Sequence, residues 1–204
     1  MRTAEIDERL RERLTNERLS RYLAETNDDL AAALDLYERN TRLAEALYTP
    51  FQCMEVCLRN TLHNLLSERY GEDWAITATL SLSTNSQRML DEALREHQQP
   101  TSGDVVASLK FAFWVSLVGR HYDSTLWRQL LHRGFRVGGG RRRSDVHGRF
   151  NALRRFRNRI AHHEPIYARA MQMHGEVIEA IGWMCTDTQQ WAQHQSRFHD
   201  VYNR

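Results

Sequence analysis

The stretch Phe51-Gln-Cys-Met-Glu-Val-Cys-Leu-Arg-Asn-Thr-Leu-His-Asn-Leu-Leu-Ser-Glu-Arg-Tyr70 decides the fold class. Met54, Leu58, Leu62 and Leu65 recur every three or four residues and so line one face of an α-helix, which Gly71 closes. The same spacing dominates the chain on both sides. Upstream, Ile6, Leu10 and Leu14 mark a first amphipathic helix; Tyr22 and Leu23 extend it or begin the next. A helix is predicted from Asp28 to Tyr48, stopped by Pro50. Downstream, beyond a short segment holding Trp74, helices are expected over Thr84 to His97, from an N-cap at Ser102 to near Gly119, and over Tyr122 to His132. Gly138-Gly-Gly-Arg-Arg-Arg143 reads as a flexible basic loop. Ser144 or Asp145 then caps a helix that Pro165 breaks, and a last long helix runs to about Gln195. With 204 residues and three prolines, the expectation is an all-α, bundle-like domain over 28–204 with an N-terminal helical extension over 1–27.

Net charge is only +2, so whole-molecule electrostatics name no partner. The local distribution says more. Ten arginines and one acid, Asp145, fall between Arg133 and Arg159, and the chain holds 27 arginines against the single Lys110. Base-composition bias accounts for the excess of arginine but not for its clustering. A basic face suits polyanions, and guanidinium groups bind phosphate bidentately.

The three cysteines, Cys53, Cys57 and Cys185, make no disulfide framework. Cys53 and Cys57 lie one helical turn apart and read as small core side chains. Met1 to Leu30 is charged throughout, with no signal-peptide pattern. The apolar run near Val105 to Val118 is too short to span a bilayer and contains Lys110. A reducing cytoplasm is the expected setting, with no membrane partner.

The richest chemistry lies in Arg157-Asn-Arg-Ile-Ala-His-His-Glu-Pro-Ile-Tyr167. On the preceding helix, Val146, Phe150, Leu153 and Ile160 form an apolar stripe, and filling the last gap by four and three puts Arg157 on it. A guanidinium taken out of water there needs a partner. It faces an internal carboxylate such as Glu55, a partner subunit, or a bound anion. Asn158 and His162 are one turn apart on an adjacent face, whereas Arg157 lies ~140° from His162 on an ideal helix. Because the residue before Pro165 avoids the α region, His162 and His163 are expected at a helix end. A histidine there can move a proton near neutral pH. Spacing alone is weak, since Arg142 to His147 and Arg169 to His174 share it. What distinguishes Arg157 is the adjacent Asn158, the stripe position and the Pro165 break. The bland alternative is that Arg157 pairs with a core carboxylate while the histidines merely cap. A metal site drawn from His132, His147, His162, His163 or His174 matches no zinc spacing, and no metal or other cofactor is expected.

Arg157-Asn158-x-x-x-His162 resembles the Arg-x4-6-His motif of the HEPN superfamily, in its Arg-Asn form. The surrounding residues are similar to the Abi-like branch of phage abortive-infection proteins. Glu55-Val-Cys-Leu-Arg-Asn60, Tyr70-Gly-Glu-Asp-Trp74, Phe111-Ala-Phe-Trp114 and Leu126-Trp127 resemble blocks of that family in the same order, so the likeness covers roughly residues 28 to 185. It implies an all-α HEPN-type bundle and a metal-independent endoribonuclease acting in phage defence or as a toxin. Two motifs usually meet in such enzymes. This chain carries one, which implies a homodimer in which Arg157 of one copy serves His162 of the other. Arg59-Asn-Thr-Leu-His63 is one residue short of a second motif.

The resemblance implies Arg157, Asn158 and His162 as the catalytic set and transesterification as the reaction. His163 is a second candidate, and Glu55, Arg59 and Asn60 are supporting residues. Arg141, Arg142, Arg143, Arg154, Arg155 and Arg159 are candidates for contacts to RNA phosphates, with a solvated face as the alternative. Tyr167 reads as packing rather than a regulatory site. A toxin role would bring an antitoxin, protein or RNA, that one chain does not show. The competing readings are a non-catalytic RNA-binding or sensing module and a purely structural helical dimer of a defence complex.

Overall fold

The computed structural model describes residues 2–77 and 80–204. Every regular element among them is helical. The spine is a 41-residue helix, α3 (Leu30–Tyr70), capped at its start by Asp29, whose side chain accepts from the Ala32 N–H, and ended at Gly71 with φ 92°. Pro50 therefore does not stop the helix, contrary to the sequence expectation. The reason is one of magnitude. An internal proline costs ~3 kcal/mol, but Leu43, Leu47, Phe51, Met54, Leu58 and Leu62 stay in phase across it and are all buried. Each contributes roughly 1.5–3 kcal/mol, and a break would take one half of the stripe out of the core.

Two short helices precede the spine, α1 (Ala4–Leu14) and α2 (Asn16–Glu25). Both pack on α3, and α2 buries Leu19 and Tyr22 completely. After the short α4 (Trp74–Thr77) and α5 (Thr84–Arg95), the helix expected from Ser102 to Gly119 is two helices, α6 (Ser102–Ser108) and α7 (Phe111–Leu117). Thr101, not Ser102, is the N-cap and forms a reciprocal capping box with Asp104. The chain turns at Leu109 (ψ 119°), whose freed carbonyl accepts from the Trp114 indole N–H at 3.3 Å.

Tyr122 to His132 is likewise no α-helix but a chain of 3-10 and π turns over Arg120–Tyr122, Asp123–Trp127 and Leu131–Phe135. Leu126, Trp127, Leu130, Leu131 and Phe135 are all buried, and they span about half the circumference of an ideal α-helix. The altered turns let all five face inward. α8 (Arg143–Ala161) begins one residue after Arg142, without a side-chain cap from Ser144 or Asp145. The last long helix is also divided, into α9 (Ala170–Gly182), α10 (Thr186–Gln195) and α11 (Phe198–Tyr202). At that turn Gly182 lies so close to Gln189 that a Cβ would sit 2.6 Å from its amide. Cys185 caps α10 by accepting the Thr188 N–H on Sγ. The other two cysteines, Cys53 and Cys57, are core side chains, and burial pushes the Cys57 thiol up to about 11. One continuous apolar core joins α3 to α7, α8 and α9. Among the described residues no helix is long and apolar enough to cross a membrane.

Candidate functional site

A groove of about 620 Å³ runs between α3, the α6–α7 turn and the C-terminal half of α8. Arg157 and Asn158 line it from α8, and Glu55 and Arg59 line it from α3. The Arg157 Nε donates to Glu55 Oε1 at 3.0 Å, which is the internal carboxylate among the partners weighed from the sequence. The stripe argument is only half met. Phe156 turns into the core and stacks on Phe51, with ring centroids 6.1 Å apart. Arg157 faces the open groove instead, and 47% of its side chain stays in contact with solvent. The stripe phase is right, but at this level α8 faces a cleft rather than packed core. Burial raises the Glu55 carboxyl above the ordinary carboxylate range, although Arg157 pulls it the other way.

The end of α8 explains the placing of both histidines. The Glu164 N–H donates to the Arg159 carbonyl and the His163 N–H to the Ile160 carbonyl, both at 2.9 Å. That pair of bonds is a Schellman motif. It puts His163 in the left-handed region (φ 57°), where glycine is the usual occupant. His162, the last half-helical residue, is exposed, as is His163. His162 stands just beyond Ala161, the last α8 residue lining the groove. Among the described residues its ring and the Asn158 amide hydrogen-bond to no other side chain. One copy of the chain thus joins Arg157, Asn158 and Glu55 and leaves His162 at the helix end.

Two residues that the sequence reading passed over hold this end in place. Asn40 of α3 is buried, and its Oδ1 accepts the N–H groups of Ile166 at 2.6 Å and Tyr167 at 3.2 Å. Its Nδ2 donates to the Glu164 carbonyl at 3.4 Å. Arg18 of α2 donates to the His163 carbonyl. An amide among Leu34, Leu43 and Leu47 was the available signal for Asn40, because a buried polar group must find partners. Tyr167 packs against Tyr22, with centroids 5.9 Å apart.

The candidate phosphate-binding arginines sit in different surroundings. Arg154 lines the groove, and Arg142 and Arg155 are exposed. Arg143 is drawn inward by Asp123 at 3.3 Å and the Val118 carbonyl at 3.2 Å. Arg159 is held by Glu164 at 3.0 Å and the Pro165 carbonyl at 2.6 Å. Arg141 lies over the Trp183 ring at 4.7 Å. Of the supporting candidates, Arg59 donates to its neighbour Asn60 at 3.2 Å. Among the described residues no three His, Cys, Asp or Glu side chains gather as metal ligands. Of the histidines weighed for that role, His174 is buried against Phe198, and burial lowers it to about 4.

Comparisons with protein-family models, with curated proteins and with solved structures found no match. The site is therefore read from its own chemistry. It offers a guanidinium and a carboxamide in a groove, with an exposed imidazole at the end of the same helix. Those groups can hold an anion and transfer a proton.

Proposed function

We propose that this chain is a metal-independent endoribonuclease of the HEPN type, acting in phage defence or as a toxin. The observation that supports it is the joint placing of Arg157 and Asn158 in the groove with His162 exposed just past its lining. In the reaction, His162 takes the proton of a ribose 2′-hydroxyl. The oxygen attacks the adjacent phosphorus, the bond from phosphorus to the 5′-oxygen breaks, and a second His162 or water protonates that oxygen. Arg157 stabilises the charge on the phosphoryl oxygens. The products are a 2′,3′-cyclic phosphate and a 5′-hydroxyl. Arg157 and His162 diverge on their helix, so the working site is composite, formed by two copies of the chain. Asn158, whose amide bonds to no other side chain within one copy among the described residues, orients an imidazole only in the assembled two-copy site.

The pairing of Arg157 with Glu55 favours a second reading, a non-catalytic RNA-binding or sensing module in which the arginine serves structure or phosphate contact alone. The two part on one experiment, incubation of labelled RNA with the purified protein and EDTA beside His162→Ala and a DNA control. The nuclease predicts cleavage of RNA alone, lost in the variant and leaving a cyclic phosphate. Binding without cleavage, unchanged in His162→Ala, would establish the module instead.

A further inference from the structure

We propose that the groove receives an unpaired stretch of RNA with one base stacked on the ring of Tyr48; this rests on the endoribonuclease reading. Tyr48 is 68% exposed, more than any other large hydrophobic side chain among the described residues. It lines the groove, and within the described residues its ring stacks on no other aromatic. An aromatic surface held out to water on a helix gains nothing for the fold, but it presents a flat face to a ligand. Phe111, at the start of α7, lines the same groove.

Charge decides what the ligand is. Arg59, Lys110, Arg154 and Arg157 line the groove against one acid, Glu55, with Lys110 also 3.6 Å from Glu92 beside it. Cations interleaved with aromatic faces are what single-stranded nucleic acid needs, phosphates on the former and bases on the latter. A second copy laid along the whole groove fits poorly, because a two-fold contact would set these cations against themselves; the composite site brings only the partner's helix end to Arg157. A double helix fits poorly as well. Its base faces are covered by their neighbours, and the groove is of the size that holds a small ligand, about 300–1,000 Å³. Tyr48 and Glu55 are seven residues apart on α3, about 10 Å along the helix. The stacked base therefore flanks the phosphate held by Arg157 and leaves that end of the groove open to the partner copy's helix end.

The test is the affinity of the full chain for a short unpaired 2′-O-methyl RNA, which cannot be cleaved, and for the same sequence annealed into a duplex. Wild-type protein is expected to bind the unpaired strand at least about tenfold more tightly than the duplex. Tyr48→Ala should lose roughly tenfold, the order supplied by one base–aromatic stack, while Tyr48→Phe keeps wild-type affinity. Equal binding of strand and duplex, or an unchanged Tyr48→Ala, overturns the subsite. So does a change of oligomeric state in Tyr48→Ala with RNA affinity unaltered, which would make Tyr48 a contact between copies. Cleavage of natural RNA that depends on His162, measured alongside, separates the two failures. If it persists while Tyr48→Ala binds normally, only the subsite falls. If wild-type protein neither binds nor cleaves RNA, both readings fall.

Discussion

At Glu55 two opposing effects meet, and burial wins over the guanidinium 3.0 Å away, since the carboxyl is raised rather than lowered. The consequence for stability has a definite sign. A carboxyl whose folded pKa is raised supports the fold while protonated, and that support is lost as pH rises through the folded value. At neutral pH the charged Glu55 is thus a net cost to folding, despite its ion pair. Glu55→Gln should melt no lower than wild type at neutral pH, and the difference should vanish on acidification below the ordinary carboxylate range. It should also release Arg157 for phosphate. A half-exposed pair of this kind is worth up to ~1 kcal/mol, so RNA affinity at low salt should rise about fivefold. A melting temperature several degrees lower, with weaker RNA binding, would show instead that the pair serves the fold.

At the scale of elements, what the sequence discloses depends on how many groups decide the outcome. The stripe in Phe51 to Tyr70 is repeated over many residues, so its helix and the all-α class are legible. The continuity through Pro50 is not, because it rests on the sum of burial from both halves, which only the packed core reveals. The division of α6 from α7 was hidden for a similar reason, since one Trp114 indole compensates the freed Leu109 carbonyl. In the site, the arginine and its carboxylate partner were legible as chemistry. The exposure of Arg157 was not, because periodicity gives a direction on a helix and not whether core or cleft lies there. Asn40 shows the same limit, as its partners lie more than 120 positions away along the chain. Asn40→Ala removes the acceptor of two N–H groups, one of them on the buried Ile166. The expected cost is about 3 kcal/mol, a melting temperature lower by roughly 6–12 °C in calorimetry, given that each unpaired buried group costs ~1–3 kcal/mol. A shift within a degree of wild type would show that the turn after α8 holds without it.

For the whole molecule, the architecture is a long spine with the motif helix packed beside it on the common core, and α2 and the spine together brace the turn that follows the motif. Arg18 from α2 and Asn40 from α3 both grip the segment from His163 to Tyr167. The fold thus fixes where His162 stands, and among the described residues its ring hydrogen-bonds to no other side chain. The proposed function needs a second copy to supply one, with Arg157 of one chain meeting His162 of the other. Mixing two inactive variants tests this most directly. Arg157→Ala and His162→Ala, each alone, should fail to cleave RNA in EDTA. After mixing and subunit exchange, each mixed dimer should regain one intact site, with the arginine from one variant and the histidine from the other, and cleavage should return. Silence from the mixed dimers, with wild type active, would contradict the composite site, and cleavage by either variant alone at the wild-type rate would contradict the assignment of the residue it lacks.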